Sequence, residues 1–486
     1  MPQRPHTGAG SRRWRRVLSS VAPWYPRHRV EVLLAAVVLL VCAPVVALVW
    51  AQSAPRYAFT AAVVDQHTVR IDDYTATLGV DRAEKDGHTY LDKAPGQPVL
   101  AVPLYAAYRL VGGEPASQAR TTGNLGVWWQ TLWCCAVPAA LLAIAMRREA
   151  NEVAPEVATI AALSLALGSL LLPFGTMLFG HVLSALLGFT SYRLLVRRQP
   201  SNRALACSGV LAGAAVFVEY TTAIVFVVLA VAVVALHHRR ALGWFAGAAA
   251  PGAALAAYQW AAFGSPTAFS YKYSAFAIHH SSTAGIGVPN PVRLLEVLLG
   301  ERGFFTLTPL MLIGIVGLVL LLRAPDIDRA RVIIPLAVVA LFLLFHAGWT
   351  DATGGDSPGP RHLIPSIPFL AAGVAVAWQR YRQLVTAVAG FSVGWMMLAT
   401  FTNPIASEHV SAVQSWLHDV RTGQWADSVL TLRLGHWTLL VPLVAAALVA
   451  RRLLSGPAGT PVGSGWAPSD RAHGTPTASA ATPARP

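Results

Sequence analysis

The most polar stretch of this otherwise apolar chain lies between residues 51 and 124 and carries Asp65, Asp72, Asp73, Asp81, Glu84, Asp86, Asp92 and Lys93. A carboxylate can draw a proton from a hydroxyl that approaches within about 2.6–3.2 Å. The adjacent pair in Ile71-Asp72-Asp73-Tyr74 is the candidate base. Strand-like alternation around Ile71 would send the two side chains to opposite faces, so only one of them would reach an acceptor. Cations supply the complementary chemistry, the holding of an anionic leaving group. Lys93 offers a compact charge for one phosphate oxygen, and Arg361 a planar fork that can bind two. His181 and Glu219 stand near the ends of apolar runs, where an ionisable group is a site candidate by default. The pair His279-His280 has no further ligand at metal-site spacing. No cofactor is specified by these residues, and dependence on a divalent metal is left open.

The elements that must position these residues are membrane helices. Of 486 residues, 55% are hydrophobic and only 12% charged, with a mean hydropathy of +0.50. Soluble domains carry roughly 25% charged residues, so a soluble class is excluded. Twelve apolar runs long enough to cross a ~30 Å hydrocarbon core centre on residues 30–50, 125–146, 154–172, 176–196, 204–220, 221–236, 241–262, 304–322, 332–347, 361–377, 384–402 and 434–453. The net charge of +14 comes from arginines that fall at alternate connections, among them Arg147/Arg148, Arg197/Arg198, Arg239/Arg240, Arg329/Arg331, Arg380/Arg382 and Arg451/Arg452. Short cytoplasmic loops hold such an excess. The expectation is therefore a multi-pass protein of the cell membrane with both termini cytoplasmic, and the basic charge calls for no nucleic acid.

Three segments follow: a basic cytoplasmic one at 1–29, a polytopic membrane domain at 30–453 with its first external loop at 51–124, and a Pro/Ala/Gly/Ser/Thr-rich tail at 454–486 that reads as disordered and cytoplasmic. Arg12-Arg13 resembles a twin-arginine signal, but a polar stretch separates it from the apolar run, which is itself too long for a cleaved signal and reads as an uncleaved span. The longer outer connections at 51–124, 263–303 and 403–433, with 348–360, gather Asp72, Asp73, Lys93 and Arg361 at one membrane edge. Trp50, Trp128, Trp129, Trp260, Trp349, Trp378 and Trp437 read as interfacial belts. Cys42, Cys134, Cys135 and Cys207 all fall within spans, which leaves no external disulfide framework.

The order of short motifs adds a resemblance. Ile71-Asp72-Asp73-Tyr74, then Asp86-Gly87-His88-Thr89-Tyr90-Leu91-Asp92-Lys93-Ala94-Pro95-Gly96 leading into Val99–Leu110, looks like the first external loop of polyprenyl-phosphate-dependent membrane glycosyltransferases with the C-type (GT-C) fold. It is similar to the aminoarabinose transferase and protein O-mannosyltransferase branch, where G-x-x-Y-x-[DE]-K-x-P precedes a juxtamembrane helix. Phe179-Gly180-His181, Glu219-Tyr220, Phe263-Gly264-Ser265-Pro266, Arg302-Gly303-Phe304-Phe305 and Gly354-Gly355-Asp356-Ser357-Pro358-Gly359-Pro360-Arg361-His362 resemble segments of bacterial relatives.

The resemblance implies an all-α polytopic fold of about twelve transmembrane helices whose external loops carry short juxtamembrane helices. It implies transfer of a hexosyl or pentosyl group from a polyprenyl-phosphate sugar to an extracytoplasmic glycan, lipid or protein, among membrane lipids. Asp72, filling the Ile-Asp position, is then the base and Asp73 its substitute. Lys93 and Arg361 hold the donor phosphate, and His181, Glu219, Tyr90 and Asp92 are substrate-binding candidates. One position departs from the pattern. Where those families place an acidic pair after the first span, this chain reads Gln52-Ser53-Ala54-Pro55-Arg56-Tyr57. Two other classes stay open: a transporter or lipid flippase, disfavoured by the absence of a half repeat and by scarce midspan charge, and a catalytically inactive relative.

Overall fold

Every apolar run folds as a helix in the computed structural model, which describes residues 24–50, 52–118, 122–280, 285–407, 409–429 and 434–455. The segment 1–23 and the tail from 456 onward, and with them most of the basic N-terminal segment and the tail named above, lie outside the described residues. Backbone amides in hydrocarbon have no water to bond, so an apolar chain closes its hydrogen bonds within helices. Six helical stretches are long and apolar enough to cross a membrane unaided: Leu125–Ala150, Tyr220–Phe263, Ala330–Gly348, Arg361–Arg380, Arg382–Phe401 and His436–Leu454. Shorter apolar helices at Ala158–Leu167, Asn202–Val218 and Leu310–Leu321 cover three more runs. The 44-residue stretch Tyr220–Phe263 contains two of the runs, split at His238–Arg240, where His238 adopts φ +47°. The chain is an all-helical polytopic membrane protein.

Some of these helices meet backbone to backbone. A Cβ on Gly209 would stand 1.8 Å from the Trp244 carbonyl oxygen, and one on Gly317 at 1.8 Å from that of Gly373. Small residues at such crossings let dispersion act along the whole contact, the main source of cohesion where lipid is as apolar as leucine. Val227, Val231 and Val234 on one helix, and Leu440, Val444 and Leu448 on another, stay exposed on stripes suited to lipid. Several arginine-bearing ends come together at one end of the bundle: Glu149 accepts from Arg193 Nε at 3.1 Å, Arg331 Nη1 at 2.9 Å and the Tyr192 hydroxyl at 3.3 Å. Of the tryptophans expected at the interfaces, Trp50, Trp260 and Trp437 are exposed, whereas Trp378 and Trp349 are buried. Among the described residues the strands are one antiparallel hairpin, Ala83–Lys85 with His88–Tyr90.

Candidate functional site

The polar loop is built from short pieces, each held by a specific contact. After the first span the Ser53–Asp65 helix runs buried from Ser53 to Ala62, with Gln52 at its head. Arg56 Nη1 donates to the Gln52 carbonyl at 3.1 Å and to its side-chain Oε1 at 3.0 Å. The hairpin turns on Asp86 (φ +52°) and Gly87 (φ +79°), the two left-handed positions of a type I′ turn. Asp72 clamps this hairpin, its Oδ1 accepting from the Thr89 N–H at 2.6 Å and its Oδ2 lying 3.0 Å from His88 Nδ1. The chain leaving the hairpin is pinned by the Tyr258 hydroxyl on the Leu91 carbonyl at 2.7 Å and by Ser270 Oγ on the Asp92 carbonyl at 2.6 Å. Lys93 is thereby fixed just before the Gly96–Leu110 helix.

The opposite wall comes from helix ends. The Asn202–Val218 helix breaks at Glu219, whose extended backbone (φ −153°) turns the chain into Tyr220–Thr222. Gly96 permits close approach to that break: a Cβ there would meet the Phe217 carbonyl oxygen at 2.5 Å. Arg361 opens the helical segment Arg361–Leu370. The positive-φ residues Gly354 and Gly355 pass over it, and a Cβ on Gly355 would stand 3.4 Å from Arg361 Nη2.

These walls enclose a buried group of charges. Lys93 Nζ lies 2.9 Å from Asp81 Oδ1 and 2.8 Å from Asp92 Oδ2, and Arg56 Nη2 lies 3.3 Å from Glu219 Oε2. Asp92 Oδ2 also accepts from Ser274 Oγ at 3.2 Å, and Lys93 Nζ sits 5.4 Å from the centre of the Tyr271 ring. Arg361 is buried, makes no ion pair among the described residues and has an Nε without a hydrogen-bond partner; the carboxylates acting on it are Asp81, Asp351 and Glu219. His181 Nδ1 lies 3.6 Å from Glu219 Oε2. Burial opposes ionisation of Asp81, but the Lys93 ammonium, helped by Arg361 and Arg56, outweighs it and holds that carboxyl below its ordinary value. Asp92, more deeply buried and beside Asp81, is pushed up. Burial would lower Lys93, yet its two carboxylates raise it. The arrangement presents three cations and one partly accessible carboxylate, Asp81, its side chain 18% exposed.

The sequence-predicted residues separate into two places. Lys93, Asp92, Glu219, His181 and Arg361 come together in this group. Asp72 and Asp73 are engaged elsewhere: Asp72 in the hairpin, and Asp73 at the surface accepting from Gln66 Nε2 at 2.8 Å. Partial burial works against the Asp72 charge, but the Thr89 amide and His88 keep its carboxyl below the usual range. Around Ile71 the expected strand is reduced to one antiparallel bridge, Arg70 with Tyr90, and the Ile71 N–H on the Thr89 carbonyl at 2.9 Å, after which the chain turns as a 3-10 segment over Asp72–Thr77. Tyr90 is buried with its ring 5.6 Å from that of Phe263. Sequence reasoning left out Asp81, one carboxylate among many in its loop, and Arg56, whose position beside the missing acidic pair was the available signal. It also left out His362, although the residue follows Arg361 directly.

No family model matches the chain and no curated protein does. Among solved structures it is similar to ArnT from Cupriavidus metallidurans bound to undecaprenyl phosphate, at 15% identity over 87% of this chain and 72% of that one with a TM-score of 0.48, and to ArnT from Cupriavidus metallidurans in the apo state, at 14% identity over 92% and 74% with a TM-score of 0.49.

Proposed function

We propose that this protein is an integral membrane glycosyltransferase that moves a sugar from a polyprenyl-phosphate donor to an extracytoplasmic acceptor. The observation that supports the reading is the buried group in which Arg56, Lys93 and Arg361 face Asp81, Asp92 and Glu219. Isolated buried charge is costly, and three cations beside a membrane-embedded bundle suit an anion that arrives on a lipid. Arg361, with no ion pair to break among the described residues, takes the phosphate first, and Lys93 can share its charge between Asp81 and a phosphate oxygen.

The chemistry follows from that sharing. The acceptor hydroxyl oxygen forms a bond to the anomeric carbon, the bond from that carbon to the phosphate oxygen breaks, and the polyprenyl phosphate leaves with the electron pair. The hydroxyl proton goes to a carboxylate. Asp81 is that base in our reading, because its side chain is reachable while Asp92 is fully covered. As the phosphate draws on Lys93, the ammonium that depresses Asp81 is partly withdrawn and its basicity rises. Asp72 and Asp73 serve the loop.

The test is transfer from a short-chain polyprenyl-phosphate sugar by purified wild type, Asp81→Asn and Asp72→Asn, with donor binding measured in parallel. Loss of a general base lowers turnover by about 10²–10⁴-fold. That loss is expected for Asp81→Asn, with donor binding kept, whereas Asp72→Asn keeps most of its turnover. Wild type that transfers from no lipid-linked sugar would overturn the reading, and full turnover in Asp81→Asn would move the base elsewhere.

A further inference from the structure

Beside the cations stands a second set of buried polar groups with a different chemical character. Among the described residues neither ring nitrogen of His181 has a hydrogen-bond partner, nor does Nδ1 of His362, and both residues are more than nine-tenths buried. Their ring centres are 6.0 Å apart. The rings are held from outside by aromatic neighbours: Phe174 at 5.4 Å and Phe179 at 6.1 Å from His181, and Trp349 at 4.9 Å from His362. The guanidinium groups of Arg361 and Arg56 act on His181, and each carries an Nε without a partner. Native proteins satisfy more than about 90% of buried polar groups, so several orphaned ones around one spot mark hydrogen-bonding capacity kept for a ligand.

The kind of capacity identifies the ligand. Phosphate oxygens only accept, and Arg and Lys only donate, so the cations suit the phosphate. An uncharged imidazole offers one donor and one acceptor. A phosphate would leave the accepting nitrogen unmatched. An ammonium would leave the donating one unmatched, and the carboxylate at hand, Glu219 at 3.6 Å from His181 Nδ1, is already engaged by Arg56 at 3.3 Å. A hydroxyl gives and accepts, and satisfies both. Resting on the glycosyltransferase reading, we propose that His181 and His362 bind hydroxyls of the donor sugar, and that this sugar is neutral rather than an amino sugar.

The experiment compares three probes on purified protein: a short polyprenyl phosphate, the same lipid carrying mannose, and the same lipid carrying 4-amino-4-deoxyarabinose. Affinities are measured for wild type, His181→Ala, His362→Ala and the amide-bearing His181→Asn and His362→Gln, each with its thermal unfolding. Wild type should bind the mannosyl lipid about 5- to 10-fold tighter than the bare phosphate, the gain from buried hydrogen bonds, and tighter than the aminoarabinosyl lipid. Each alanine variant should lose that preference while keeping its affinity for the bare phosphate, and the amide variants should recover part of it. Wild type that binds the bare phosphate without preferring the mannosyl lipid would overturn this inference alone, as would preference for the amino sugar or alanine variants with unchanged selectivity. Wild type that binds none of the three lipids would overturn the glycosyltransferase reading itself.

Discussion

At the scale of single residues, Arg361 and Lys93 differ in what their removal leaves behind. Lys93 neutralises Asp81 and Asp92, so Lys93→Ala strands the buried Asp92 as well as the partly accessible Asp81 and should damage the fold, a loss of about 3–5 kcal/mol when a buried pair is broken. Arg361 has no ion pair among the described residues, so Arg361→Ala should unfold near the wild-type temperature and weaken donor binding by at least about tenfold, in the range of a charge-assisted bond. Arg361→Lys should also bind the donor more weakly than wild type, since a point charge cannot reproduce the fork. Equal donor affinity in titrations of all three proteins would remove Arg361 from the phosphate site. The pH dependence carries a definite sign. The folded pKa of Asp81 lies below its ordinary 3.8, so its contribution to stability is present above that value and lost as pH falls through the folded one. Asp92, raised by burial, acts in the opposite sense just above 3.8. Lys93 is raised from 10.5, so its contribution persists through neutral and mildly alkaline pH. Thermal unfolding of wild type and Asp81→Asn should therefore differ most near neutrality and converge in acid; a gap that widens in acid would contradict the pairing.

At the scale of elements, backbone geometry decides where charges meet. Gly96 carries no side chain, yet a methyl there would press within 2.5 Å of the Phe217 carbonyl and push the Gly96–Leu110 helix away from the Glu219 break. Gly96→Ala should cost about 1–3 kcal/mol through overpacking and reduce activity as well. Gly390→Ala, with nothing within 4 Å of the added carbon, is the control and should leave melting temperature and activity unchanged. Similar melting temperatures for the two variants would mean that the close approach does not hold this wall. The hairpin explains why the pattern around Asp72 was open to another reading. Acidic residues next to an Asp-Gly turn are as well suited to bonding exposed loop amides as to catalysis, and the choice depends on which amides the fold brings near.

At the scale of the whole molecule, the charge group lies at one end of a helical bundle and the Glu149 network ties arginine-bearing ends together. We propose that the first end faces outward and the second the cytoplasm, as the arginine distribution requires. In a background without Cys42, Cys134, Cys135 and Cys207, a membrane-impermeant thiol reagent added to intact cells should label Glu84→Cys and miss Arg148→Cys. The reverse labelling would invert the orientation and with it the side on which the acceptor is met.

The sequence by itself determined the helices and their approximate ends, because length, apolarity and the need to close backbone hydrogen bonds in hydrocarbon are local properties. It also singled out Arg361, His181 and Glu219, since an ionisable residue near the end of an apolar run stands out without reference to anything distant, and Lys93, through the order of residues in its polar loop. Tertiary structure alone decided their partners. Asp81 reaches Lys93 across a hairpin, Arg56 reaches Glu219 across 163 positions of sequence, and His362 meets His181 between two helices. Such pairings are set by the close approach of glycine-bearing backbones and by one left-handed turn. No residue's type or spacing records which of several equivalent carboxylates the folded loop will turn inward.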